Sequence, residues 1–180
     1  MAENTLAAPL LSECGLDIRR AVEPDDGFLL ALFVSVREKE LALTPWTEEQ
    51  RAMFIEHQFG AQRMHYRREY PNAGQFVLSL KGAAAGMLYI DFSGADVEIL
   101  DLIIATESRN QGLGACVLKV LQSEARRMGK DLTVYVDRTD RSFEFFGRLG
   151  FRPIVDQGIY LLLKWTAKSV NQNSLSTPMT

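Results

Sequence analysis

The chain has 180 residues, of which 47% are hydrophobic and 24% charged, the balance of one soluble globular domain with enough apolar material for a core of its own. Its formal net charge of −3, from 20 basic and 23 acidic residues, supplies no basic footprint for nucleic acid or an anionic membrane surface. No apolar run approaches the roughly 20 residues a membrane helix needs, and the N-terminus lacks the basic and apolar regions of a signal peptide. A cytoplasmic protein with neither nucleic acid nor membrane as partner is expected.

Two cysteines, Cys14 and Cys116, match no zinc or redox spacing. One disulfide between them is open, but free thiols in a reducing compartment are the expectation. No metal is implied.

In chain order, residues 1–15 read as an N-terminal extension, 16–166 as the domain, and 167–180, rich in Ser, Asn and Thr, as a flexible tail. Leu16 to Ala21 alternates as a first strand. Glu23-Pro24-Asp25-Asp26 then signals a turn and helix start, followed by the apolar stripe Leu29, Leu30, Leu32 and Phe33. Thr47 and Gln50 make a capping-box pattern for a second helix reaching about Arg68, before Pro71. The period then changes to alternation. Gln75–Leu80 and Met87–Phe92 read as strands joined through Lys81-Gly82, and Ser93-Gly94 turns into Val97–Ile104. A helix over Gly112–Met128, a strand over Leu132–Asp137 and a short helix over about Arg141–Leu149 follow. A final strand pair, Arg152–Val155 and Ile159–Trp165, turns at Asp156-Gln157-Gly158. The class is α/β with a mixed sheet.

The informative passage runs from Val97 to Leu118: an apolar strand, a short polar loop, two glycines and a helix. The first turn of a helix offers unpaired N–H groups and a partial positive charge, and glycine lets the backbone approach phosphate oxygens. Gln111 to Ala115 would supply the amides, with Arg109 adding charge nearby. A Walker loop is excluded because Ala115-Cys116 follows Gly114. A dinucleotide fingerprint is excluded because Val117 stands where its third glycine belongs.

Arg109-Asn110-Gln111-Gly112-Leu113-Gly114, with Leu149-Gly150-Phe151 further on, resembles the GNAT acetyltransferase superfamily. Its core motif is Gln/Arg-x-x-Gly-x-Gly/Ala at the junction of its fourth strand and third helix. Its short last helix carries a Leu-Gly-Phe signature. The resemblance covers about Leu16 to Trp165. It implies a single domain with a mixed, mostly antiparallel sheet of six or seven strands, flanking helices and a V-shaped cleft between strands 4 and 5. It further implies acetyl-CoA as acyl donor, gripped at its pyrophosphate by residues 109–115. The pantetheine arm would pair with backbone of Leu102, Ile103 and Ile104, beside a bulge in the fourth strand that the sequence does not reveal. Dimers are common in the family, so a homodimer is an expectation that comes with it.

Acetyl transfer needs a neutral amine, and deprotonating one with a pKa of about 10.4 at pH 7 costs about 4.6 kcal/mol. A nearby base is therefore valuable. Two carboxylates, Glu98 and Asp101, interrupt the apolar fourth strand. Charges there are expensive unless paired or facing a wet cleft, and a spacing of three puts them on opposite faces of a regular strand. Glu98 is favoured as the base, because its place before Arg109 is similar to that of the base in the superfamily's histone acetyltransferases; Asp101 is the reserve. Where the family commonly carries a tyrosine acid, this chain has Phe146, and where it often has asparagine, Thr139. Both positions remain candidates on the cofactor side, but the acid role does not carry over. Tyr135 and Tyr160 are weaker substitutes. Trp46, in a Leu-Thr-Pro-Trp turn, either shapes the acceptor pocket or anchors the core, the second being expected, and His65, Tyr66 and Tyr70 read as surface or packing residues. The implied reaction is transfer of acetyl to a primary amine of a small molecule or protein, by direct attack in a ternary complex. The alternatives are a non-catalytic acetyl-CoA-binding regulatory domain and a transferase using a longer acyl-CoA.

Overall fold

The computed structural model describes residues 14–139 and 141–167. A seven-stranded sheet forms the frame: β1 (Leu16–Arg20), β2 (Gly74–Leu80), β3 (Ala83–Asp91), β4 (Val97–Ile104), β5 (Leu132–Asp137), β6 (Arg152–Gln157) and β7 (Tyr160–Trp165). Their spatial order is β1-β2-β3-β4-β5-β7-β6. Every neighbouring pair is antiparallel except β4 and β5, which run parallel. Five α-helices complete the described chain: α1 (Asp26–Ser35), α2 (Glu38–Ala42), α3 (Glu48–Glu69), α4 (Leu113–Met128) and α5 (Ser142–Arg148). None is long and apolar enough to cross a membrane. The expected extension and tail fall outside the described residues except at positions 14, 15 and 167.

Local chemistry fixes the helix ends. The Thr47 amide donates to Gln50 Oε1 at 2.9 Å and the Gln50 amide to Thr47 Oγ1 at 3.2 Å, a reciprocal cap that starts α3 where the sequence pattern places it. α2 has no counterpart among the expected elements. It is five residues long with Leu41 its buried side chain, too short to show a helical period.

α4 and α5 pack on one sheet face, where Val97 and Ile99 of β4 meet Leu118, Leu121, Leu132 and Phe151. Side chains buried to this degree each contribute about 2 kcal/mol. α1 and α3 pack on the other face over β3 and β4, where Leu29 and Leu32 meet Met87 and Ile103, with Phe59 against them. That second layer stops short of β7 and β6, and the uncovered part of the face becomes a pocket.

The cysteines depart from expectation. Cys14 and Cys116 are joined in a disulfide with Cα atoms 6.5 Å apart. Cys14, just before β1, packs against the α4-side core, which brings it to the first turns of α4 across 102 residues of sequence. The cysteines therefore give no support to a reducing compartment.

Candidate active site

The β4 strand holds the feature that organises the site. It pairs with β3 as Glu98↔Asp91, Ile99↔Ile90, then Asp101↔Tyr89 and Leu102↔Leu88. Leu100 is therefore an extra residue, a β-bulge. One inserted residue inverts the alternation beyond it. Val97, Ile99, Leu102 and Ile104 all turn toward α4 and α5, whereas Ile103 turns toward α1. Glu98 and Asp101 consequently share the α1/α3 face, where a regular strand would have separated them. This is a correction to the reading from spacing alone.

The bulge also separates β4 from β5. Their ladder consists of Val97↔Leu132, Glu98↔Thr133 and Ile99↔Val134, after which β5 stays with β7 to Asp137. From Leu100 to Ile104, β4 has no partner on β5 among the described residues. A V-shaped opening with strand backbone along one wall results, a ready edge for an extended ligand.

Two cavities meet this opening from opposite faces. One, of about 480 Å³, is lined by Leu102, Ile104, the Ser108–Ala115 loop and helix start, and Phe145 and Phe146. Asn110 and Gly112 adopt left-handed backbone, φ 61° and 77°, which folds the loop under the start of α4. The Cys116 amide donates to the Gly112 carbonyl at 2.9 Å, so the amides before it belong to the first turn, which has no intrahelical acceptors. A Cβ on Gly114 would lie 3.2 Å from the Phe145 ring, so glycine keeps this end of the cleft open. Arg109 acts differently from the simple phosphate partner expected: its Nε donates to the Ile104 carbonyl at 2.9 Å and an Nη to Ser35 Oγ at 3.3 Å. Its charge stays at the mouth while its donors clamp the loop to the end of β4 and to α1.

The other cavity, about 750 Å³, lies on the α1/α3 face over β5 and β7. Glu98 lines it, as do Arg37, Tyr66, Tyr70, Tyr135 and Tyr160. Tyr66 donates its hydroxyl to the Leu100 carbonyl at 3.1 Å and packs edge-on to Tyr89, ring centroids 5.0 Å apart. It thereby holds the bulge from the helix side. Burial pushes the Asp101 carboxyl up from 3.8 to about 6, although the Arg37 guanidinium and the Leu102 amide both favour its ionised form. Burial lowers the Arg37 pKa, with Asp101 opposing the shift. The Tyr66 hydroxyl is raised by burial and then by the negative charge of Asp101. Tyr70 is raised by burial and by the Glu98 carboxylate, to which its hydroxyl is hydrogen-bonded.

The expected residues thus divide. Asn110, Gly112, Leu113, Gly114 and Ala115 line the smaller cavity with Arg109, Leu102, Ile104 and Phe146. Phe146 is buried, with ring centroids 5.4 and 5.1 Å from Phe145 and Phe151. Gln111 turns its side chain back to the Glu107 carbonyl, so its part is its backbone. The Ile103 side chain is in the α1-side core. Thr139 sits past β5 with its hydroxyl on Asp137 and is not among the residues that line either cavity. The sequence reading missed Arg37, Tyr66 and Tyr70. Gln62 and Tyr66 share one face of α3, and Tyr70, its C-cap residue, follows at the same interval of four. That was the available signal.

This bulged, splayed sheet with a glycine-rich helix start beneath it defines an acyl-CoA-type transferase scaffold. The Acetyltransferase (GNAT) family model matches residues 39–151, more than half of the chain, and the chain belongs to that family. Among solved structures it is similar to the PaiA N-acetyltransferase of Thermoplasma acidophilum in complex with coenzyme A, with TM-score 0.65 and 15% identity over 84% of this chain and 98% of that one. An acetyltransferase of Thermus thermophilus aligns with TM-score 0.59 and 20% identity over 83% and 96%. The ribosomal-protein-S18-alanine N-acetyltransferase of Escherichia coli aligns with TM-score 0.56 and 15% identity over 88% and 98%. At these identities the likeness speaks for the fold. A search of curated proteins returns no match.

Proposed function

We propose that the protein transfers the acetyl group of acetyl-CoA to a primary amine by direct attack in a ternary complex. The observation that carries this reading is the pair of cavities that meet β4 on either side of its bulge, the larger at Glu98 to Leu100 and the smaller at Leu102 and Ile104. A donor thioester and an acceptor amine could meet there without either displacing the other. Two solved relatives hold coenzyme A or acetyl-CoA, which supports the smaller cavity as the donor side.

The chain's own residues supply positioning and proton handling. Amides from Gln111 to Ala115 would hold the pyrophosphate at the positive end of α4, and the free edge of β4 from Leu102 to Ile104 would hold the pantetheine arm. Fixing both reactants relieves much of the entropic barrier of a two-substrate reaction. The amine nitrogen bonds to the thioester carbon, the carbon–sulfur bond breaks, and the amine proton passes to Glu98, the carboxylate that lines the acceptor cavity. Asp101, pushed up by burial to about 6, is in the range suited to a base near neutrality but is not among the lining residues, and is the second candidate. The departing thiolate takes its proton from water, because the position of the family's tyrosine is filled by buried Phe146. That substitution is also what favours the second reading, a domain that binds acetyl-CoA without turning it over.

The test is coenzyme A thiol release from acetyl-CoA with a panel of primary amines. Amine-dependent release that is lost in Glu98→Gln supports transfer. Tight acetyl-CoA binding with no release above background for any amine favours the regulatory reading.

A further inference from the structure

Four of the chain's five tyrosines line one cavity. Tyr66 and Tyr70 come from the end of α3, with ring centroids 6.2 Å apart. Tyr135 and Tyr160 rise from the same face of β5 and β7, where Asp137 pairs with Tyr160 and Tyr135 with Leu162. Both strand tyrosines are about half exposed, 50% and 54%, although each is a large ring in a sheet interior or at its end. Their exposed ring faces are turned to the cavity they line.

Arg37 and Lys164 line this cavity with Asp96 and Glu98, and the carboxylates of Asp101 and Asp131, which act on the two cations from outside the lining, tip the balance negative. Lys164 Nζ lies 2.8 Å from Asp96 and 3.4 Å from Asp131, so its charge is more than matched. The Arg37 guanidinium carbon sits 3.5 Å from the Phe33 ring centroid, and the carboxylates of Asp101 and Glu40 act on its charge. Glu98 has a neutral partner, the Tyr70 hydroxyl, and forms no ion pair among the described residues. A lining carboxylate without a cation, beside Tyr70 and within the tyrosine walls, is a receptor for an ammonium group. The carboxylate attracts it and the ring faces add cation–π attraction. The flat ring faces also favour a flat apolar body on the ligand. A carboxylate on that ligand would add to these negative charges, and both lining cations already face carboxylates, Lys164 those of Asp96 and Asp131 and Arg37 those of Asp101 and Glu40.

We propose that the acceptor is a small primary arylalkylamine without a carboxylate, its ammonium on Glu98 and its ring among Tyr70, Tyr135 and Tyr160. The volume of about 750 Å³ falls within the range of small-molecule sites. This assignment rests on the acetyl-transfer reading above.

The experiment compares tyramine with tyrosine, which differ by one carboxylate, and adds a linear aliphatic diamine and a short peptide with a free N-terminus. Each is assayed by thiol release with the full chain, and acetyl-CoA binding is measured separately. A kcat/KM for tyramine at least tenfold above that of every other acceptor is expected. Tyr135→Ala should raise the KM for tyramine at least fivefold while the KM for acetyl-CoA stays within twofold. Equal or better use of tyrosine, the diamine or the peptide overturns the assignment and leaves acetyl transfer standing. An unchanged tyramine KM in Tyr135→Ala also overturns it. Failure to bind acetyl-CoA takes down both readings.

Discussion

Replacing Asp101 with asparagine should stabilise the protein at alkaline pH, although it damages the site. Burial raises the Asp101 carboxyl from 3.8 to about 6, so the folded state favours the protonated form more than the unfolded state does. The sign follows from linkage: a raised carboxylate contributes stability in full below about pH 3.8 and loses it as pH rises through about 6. The loss amounts to about 3 kcal/mol at pH 8, at about 1.4 kcal/mol per decade, and about 1 kcal/mol at pH 4.5. Asparagine resembles the protonated acid in shape and lacks the charge. Urea unfolding of both proteins from pH 4.5 to 8 should show the variant gaining about 2 kcal/mol relative to wild type over that interval, with unchanged m-values. A stability difference that stays flat with pH would refute the reasoning, because it would mean that ionising Asp101 carries no burial penalty. So would a variant whose relative stability declines as pH rises.

Three further outcomes follow from the same geometry. Glu98→Gln should lower kcat/KM by about 10²–10⁴ with acetyl-CoA affinity unchanged in calorimetry; an equal loss in Asp101→Asn alone would move the base to the second carboxylate. Tyr66→Phe removes the hydroxyl bond to the Leu100 carbonyl and should cost about 1 kcal/mol in denaturant unfolding, with kcat falling because the bulge is less firmly held. The Cys14–Cys116 bond spans 102 residues, a loop for which cross-linking contributes about 4–5 kcal/mol in the chain-entropy treatment. Reduction should therefore lower the urea midpoint clearly, and the unreduced, denatured chain should show no free thiol to a thiol reagent.

Much of the frame was legible because its signals are local. The Thr47/Gln50 cap, the Val97–Ile104 apolar run and the glycine-rich start of the helix that follows it are each set by a few neighbouring residues. The relation of Glu98 to Asp101 was not legible. It depends on Leu100 being skipped in the β3 ladder, and nothing in an apolar run marks which residue bulges. The tyrosine pocket was hidden for a related reason. Tyr66 lies on α3 and Tyr70 caps its end, whereas Tyr135 and Tyr160 lie on strands beyond the parting of β4 and β5, and topology alone brings them together. The disulfide joins residues with no spacing pattern, across the whole β1–α4 core. Arg109 was placed correctly in the loop, but its donors face Ile104 and Ser35, a direction that motif spacing does not encode.

The central claim is that the start of α4 holds acetyl-CoA, and isothermal calorimetry of the native chain against Gly114→Val tests it most directly. The added side chain would press on Phe145 and fill the cleft mouth. Saturable acetyl-CoA binding by the native protein, weakened at least a hundredfold in a variant whose circular dichroism is unchanged, is the predicted result. No binding by the native chain, or equal binding by both, would contradict the account.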